Sequence, residues 1–118
     1  MAAILIVEDD PDNRAVLSRA VEIMGYEILT ADSAEKALSL LAERTDVSLL
    51  LCDICLPGMD GIAFNEVVHR RYPSLKVALV TGDADAADNA IRNGVIALLK
   101  PYSFTVLTRV IAETLGTS

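Results

Sequence analysis

Residues 47–53 read Val47-Ser48-Leu49-Leu50-Leu51-Cys52-Asp53. A nearly continuous apolar run closed by a carboxylate is the pattern of a strand buried on both faces, as in parallel sheets whose crossover helices cover both sides. Outward from it, Ile4 to Val7, Lys76 to Val80 and Val95 to Leu99 repeat the pattern. The run Glu27 to Thr30 is more polar and belongs at a sheet edge. Helical patterns separate and follow these runs. The first starts at Asp10-Pro11, buries Val16, Leu17, Ala20, Val21 and Met24, and stops at Gly25. The second starts at Ser33 and carries Ala34, Ala37, Leu38 and Leu41; the third follows Asp60-Gly61, runs through Ile62 and Phe64 to Val68, and stops before Pro73. The fourth begins around Asp83 to Asp85 and ends at Gly94; the fifth starts at Ser103 and places Phe104, Leu107, Ile111 and Leu115 at helical spacing before Gly116. Regular alternation of strand and helix predicts an α/β fold: a doubly wound, five-stranded parallel sheet with right-handed crossovers and helices on both faces.

The 118 residues suit one domain, residues 1–118, and are too few for a barrel of eight strand–helix pairs, which needs roughly 250. Hydrophobic residues make up 53% and aromatics 4%, so the core is aliphatic. Ten basic against 17 acidic side chains give a formal charge of −7, which argues against a nucleic-acid footprint. Two cysteines, Cys52 and Cys55, make no disulfide framework and point to a reducing compartment. No apolar stretch reaches membrane-span length, and Glu8, Asp9 and Asp10 interrupt the apolar start before it resembles a signal peptide. These readings predict a cytoplasmic protein without a membrane partner.

Ligands of open parallel sheets bind beyond the carboxyl ends of the strands, where strand order reverses. Strand one ends in Glu8-Asp9-Asp10, strand three in Asp53, strand four in Thr81 and strand five in Lys100-Pro101. If the strand order is 2-1-3-4-5, strands one and three are neighbours and their acids converge at the reversal point. Converging carboxylates repel, raise at least one pKa and favour a hard divalent cation, with Mg²⁺ suited to an all-oxygen set. Lys100 and Thr81 add a positive charge and a hydroxyl donor. Carboxylates, Mg²⁺, lysine and hydroxyl together describe a phosphoryl-binding site with a carboxylate nucleophile.

Across essentially its whole length the chain resembles the response-regulator receiver domains of two-component signalling, a flavodoxin-like fold with that strand order. The resemblance rests on Ile6-Val7-Glu8-Asp9-Asp10 with Arg14 following, Asp53-Ile54-Cys55-Leu56-Pro57-Gly58-Met59-Asp60-Gly61, Val80-Thr81-Gly82 and Leu99-Lys100-Pro101. It implies that Asp53 is the phosphoacceptor. Asp9, Asp53 and the backbone carbonyl of Cys55 would hold Mg²⁺, with Glu8 acting through water. Thr81 would be the switch hydroxyl, and Lys100 would pair with the acceptor or its phosphoryl group. It also implies a sensor histidine kinase or histidine phosphotransfer protein as donor. A downstream partner protein would read the face made by the fourth helix, fifth strand and fifth helix. The protein would be no free-standing enzyme, would supply catalytic groups for its own phosphorylation and dephosphorylation, and would be a monomer or weak dimer. Three departures stand out. Ala97 occupies the position, three before the lysine, where the family often has an aromatic switch residue. The stretch from Thr81 to Lys100 is a few residues short, which predicts a short or irregular fourth helix and an unusual register for the fifth strand. No output domain follows Gly116, so a single-domain regulator or isolated module is expected.

The same residues admit other readings. Asp10 and Asp12 fit a helix start, and Asp83 fits a helix cap beside Thr81. Zinc at Cys52 and Cys55 lacks four ligands, because the single His69 sits on a separate helix beside Arg70 and Arg71, a solvated face. Thioredoxin-type chemistry needs its pair at a helix start, and this pair straddles a strand end. Lys100-Pro101 is a candidate cis peptide that would aim the amine. The rival functions are an interaction-only receiver that is never phosphorylated and an aspartyl-nucleophile phosphatase. The phosphatase lacks the common Asp-x-Asp pattern, since Cys55 stands at its second position.

Overall fold

The computed structural model describes residues 3–54 and 61–116. Five strands alternate with five helices: β1 (Ala3–Val7), α1 (Pro11–Ile23), β2 (Glu27–Ala31), α2 (Ala34–Glu43), β3 (Val47–Asp53), α3 (Gly61–Arg71), β4 (Lys76–Thr81), α4 (Ala84–Arg92), β5 (Ile96–Leu99) and α5 (Phe104–Leu115). The strands form one parallel sheet of order β2-β1-β3-β4-β5, as the sequence predicts. All five residues of β1 are buried, because helices cover both faces at the middle of the sheet.

The period of two along the strands sorts the core into two layers. Leu5, Val7, Leu50, Cys52 and Leu79 point to one side, against Ala37 and Leu41 of α2, Phe64 and Val68 of α3, and Ala90 of α4. Ile4, Ile6, Leu49, Leu51, Val80 and Leu98 point to the other, against Leu17 and Val21 of α1 and Leu107 and Ile111 of α5. Phe64 is the largest fully buried side chain in this otherwise aliphatic interior.

Capping side chains set the helix starts. Asp10 Oδ1 accepts the Asp12 N–H at 2.9 Å, Ser33 Oγ the Lys36 N–H at 3.2 Å, Asp83 Oδ1 the Asp85 N–H at 2.9 Å, and Ser103 Oγ the Val106 N–H at 3.1 Å. The chain leaves α5 through Gly116 at φ 74°, a left-handed conformation that a β-carbon would strain.

Two expectations are corrected. Val16 is 66% exposed rather than buried. Leu17, Ala20, Val21 and Met24 define the inward stripe of α1, and Val16 lies about a quarter-turn off its centre. The fifth strand has an ordinary register, pairing Ala78 with Ile96 through to Thr81 with Leu99. The short connection is absorbed upstream, in an α4 of nine residues.

The two sheet margins differ. At β2, Arg44 from the end of α2 ion-pairs with Glu27 and Asp46. At β5, Ile96 and Leu99 are exposed, flanked by exposed Ile91 of α4 and Phe104 of α5. No helix among the described residues is long and apolar enough to cross a membrane.

Candidate functional site

Parallel register brings the carboxyl ends of β1, β3, β4 and β5 to one rim. Val7 lies opposite Cys52, Asp53 opposite Val80, and Thr81 opposite Leu99. One residue past each pairing stand Glu8 and Lys100. The Glu8 N–H donates to Ala31 O at 3.0 Å and the Lys100 N–H to Thr81 O at 2.7 Å, so each strand's hydrogen bonding continues into its site residue. The Lys100-Pro101 peptide is cis.

Lys100 bridges the two acids. Its Nζ donates to Asp53 Oδ2 at 3.1 Å and lies 3.7 Å from Glu8 Oε1. Glu8 is 1% exposed, an unusual place for a carboxylate. Its Oε2 accepts the Asp10 N–H at 3.3 Å, while Oε1 is buried without a hydrogen-bond partner. Burial, the neighbouring Asp9 carboxyl and the charge of Asp53 push the Glu8 pKa up to about 7. For Lys100, burial favours the neutral amine, but the hydrogen bond to Asp53 and the charges of Asp53 and Glu8 prevail and raise its pKa. The Thr81 side chain is buried, and its Oγ1 accepts the Asp83 N–H at 3.1 Å, which leaves the hydroxyl proton available to donate. Cys52 Sγ donates to Asp53 O at 3.2 Å, and burial pushes its thiol pKa up, so it packs as an apolar residue rather than a reactive thiolate.

The donor set fits a hard cation. Glu8 and Asp53 are two converging carboxylates, and the buried Glu8 Oε1, which faces the Lys100 ammonium at 3.7 Å but accepts no hydrogen bond, has acceptor capacity to spare. Among the described residues no three His, Cys, Asp or Glu side chains gather as a metal cage. Mg²⁺ does not need one, because it keeps several waters and takes one or two carboxylates. Asp9 sits on the exposed rim next to Glu8. Cys55, whose carbonyl the sequence reading assigned to the metal, lies outside the described residues.

Asp10, Asp12 and Asp83 serve helix starts, as expected, and His69 is exposed on α3. Ala97 is half-buried on β5. Tyr102 escaped the sequence reading, and Arg14 entered it only as the residue following the acidic motif. Tyr102, with Glu8, Asn13, Val16, Leu17 and Lys100, lines a cavity of about 290 Å³ beside the acids. Burial and the charges of Glu8 and Asp53 raise its phenol pKa against the opposing pull of Lys100. Arg14 reaches back from α1 to donate to the backbone carbonyl of Glu8 at 2.8 Å. The only sequence signals were proximity to Lys100 for Tyr102 and to the acidic turn for Arg14.

Comparison with known proteins points the same way. A family model described as the response regulator receiver domain matches residues 4–112. The response regulator protein FleR of Pseudomonas aeruginosa is 40% identical over 115 residues, which cover 95% of this chain and 24% of FleR. The chain thus spans about a quarter of that relative's length. The response regulator receiver protein CpdR of Brucella abortus is 40% identical over 89 residues, 75% of this chain and 73% of CpdR. The response regulator protein TrrA of Thermotoga maritima, solved in complex with Mg²⁺-BeF, is similar with a TM-score of 0.88 at 25% identity, over 97% of this chain and 99% of that one.

Proposed function

Because the chain belongs to the response regulator receiver family, we propose that residues 1–118 form one receiver domain that accepts a phosphoryl group on Asp53. The observation that carries this reading is the Lys100 ammonium, 3.1 Å from Asp53 and 3.7 Å from buried Glu8. A cation held between two strand-end acids is a preorganised partner for a group that arrives with negative charge. An Asp53 carboxylate oxygen attacks the phosphorus of a phosphohistidine. The new O–P bond forms as the P–N bond breaks, and the electron pair leaves with the imidazole nitrogen. Lys100 neutralises charge on the phosphoryl oxygens, and Thr81 donates its hydroxyl proton to one of them. Glu8, Asp9, Asp53 and the Cys55 carbonyl would hold Mg²⁺, which when bound supplies charge neutralisation at the same oxygens. The Mg²⁺-BeF complex of TrrA supports that assignment by similarity.

The donor is a sensor histidine kinase or a histidine phosphotransfer protein in the cytoplasm. The readout is a change in protein contacts at α4, β5 and α5. Here the Thr81–Asp83 hydrogen bond links the site to the α4 cap, since Asp83 in turn holds the Asp85 N–H. Drawing Thr81 toward the phosphoryl group perturbs the start of α4 without an aromatic at Ala97.

Intact-mass spectrometry after incubation with Mg²⁺ and acetyl phosphate tests the acceptor, with Asp53→Ala alongside. A phosphoryl adduct that requires Mg²⁺ and is absent from the variant is the expected result. No adduct from acetyl phosphate or from a phosphorylated histidine kinase refutes the reading in favour of an interaction-only receiver. Steady turnover of small phosphate esters would instead mark a phosphatase.

A further inference from the structure

We propose that Arg14 is a positioning residue for the acidic turn at Glu8 and Asp9, setting metal affinity through the backbone of Glu8 rather than by touching metal or phosphoryl group. This rests on the phosphoacceptor reading and extends it to a residue outside the constellation of acids, hydroxyl and lysine.

Arg14 sits where a cation is electrostatically misplaced. It follows directly on the first turn of α1, whose start carries the positive end of the helix dipole and is capped by Asp10. Among the described residues it makes no ion pair, although Asp9, Asp10 and Asp12 all stand nearby in sequence. Its guanidinium instead donates to the main-chain oxygen of Glu8 at 2.8 Å. A half-buried Arg spent on one neutral carbonyl, against the dipole, calls for a role at that carbonyl.

The surrounding bonds supply the role. The Glu8 N–H is tied to Ala31 O of β2 at 3.0 Å, and its C=O is tied to Arg14. The Glu8 carboxylate holds the Asp10 N–H at 3.3 Å, and the Arg14 N–H closes the first helical bond to Asp10 O at 2.9 Å. The turn carrying both acids is therefore clamped on the sheet side by β2 and on the helix side by Arg14. Without the guanidinium the helix-side clamp on Glu8 is gone. The peptide joining Glu8 to Asp9 then loses the bond that fixes its carbonyl, and the aim of the two carboxylates is held less tightly by the remaining ties. Outer partners that orient metal ligands commonly set affinity over 10- to 100-fold.

The test compares the parent with Arg14→Ala and Arg14→Lys, by calorimetric titration with Mg²⁺ alone and by amide exchange in metal-free protein. The expected result for Arg14→Ala is a Mg²⁺ Kd raised about 10-fold or more. Exchange at Glu8 and Asp10 should accelerate while β3 and α5 amides keep their protection. Arg14→Lys, which retains one donor, should recover most of the affinity. If Arg14→Ala does not fold, Arg14→Met keeps the stem and lacks the donor, and takes its place. A folded variant with Kd within twofold of the parent overturns the proposal. So does protection lost evenly across the sheet, which is the mark of a merely structural arginine. A parent that binds no Mg²⁺ and forms no Asp53 adduct refutes the phosphoacceptor reading itself and this inference with it.

Discussion

Replacing Lys100 with methionine removes the cation and keeps most of the side-chain volume. The lost ammonium lies 3.1 Å from Asp53 and 3.7 Å from Glu8. At an effective dielectric constant of about 20, these contacts are worth roughly 5 and 4 kcal/mol in gross Coulomb energy, before the cost of desolvating the ions. The net value lies between that of an exposed pair, about 0–1 kcal/mol, and of a broken buried one, about 3–5 kcal/mol. The Lys100 side chain is 31% exposed while those of Glu8 and Asp53 are 2% and 14% exposed, which places the expectation near the middle. We expect a loss of about 2 kcal/mol, or a Tm lower by about 8 °C for a chain of this length. The assay is thermal unfolding followed by circular dichroism at pH 8 with EDTA and low salt, where Glu8 is ionised. Near pH 5.5 the deficit should shrink, because Glu8 then carries its own proton. Mg²⁺ should raise the Tm of Lys100→Met more than that of the parent, since a cation has left the same acids. A variant as stable as the parent at pH 8 in EDTA would refute the claim that Lys100 neutralises the pair.

Four further outcomes rest on the same structure. With the Glu8 pKa at about 7, the folded protein holds a proton that the unfolded chain releases near 4.5; the Glu8 contribution to metal-free stability therefore falls as pH rises from about 4.5 to about 7. Mg²⁺ affinity, measured by calorimetry, should rise about tenfold between pH 6 and pH 8, and Glu8→Gln should abolish that dependence. Phe64→Ala, at a fully buried ring, should cost about 3–5 kcal/mol in urea unfolding. Asp83→Ala removes the cap that holds the Asp85 and Ala86 amides, and should cost about 1 kcal/mol, with faster amide exchange confined to the first turn of α4.

The strands were legible because apolar runs end in a polar side chain, Asp53 after Cys52, Thr81 after Val80 and Lys100 after Leu99, while their order went with the resemblance to the receiver family. Helix starts were legible for a similarly local reason, since Asp10, Ser33, Asp83 and Ser103 each bond an amide within three residues. What depends on distant parts of the chain was not. Val16 is apolar, yet it lies about a quarter-turn off the inward stripe of α1, and apolar character alone did not place it. Tyr102 lines the site cavity together with Asn13, Val16 and Leu17, neighbours that its place in the sequence does not name. Arg14 was legible as part of the motif after the acids, but its bond ends on a backbone oxygen, which the sequence does not show. The register of β5 was misjudged because a shorter connection shortens either helix or strand, and local sequence does not say which yields.

The unequal margins of the sheet give the molecule a direction of growth. An added strand must hydrogen-bond to the open side of β2 or of β5. At β2 it would meet Glu27 already ion-paired with Arg44, and would have to disturb that lock. At β5 it would meet four uncharged residues, with Ile96 and Leu99 offering apolar surface. Association through backbone pairing would therefore favour one end of the sheet, the β5 margin beside α4 and α5. A single lysine at Ile96 would close that margin and leave the acid rim at the strand ends untouched.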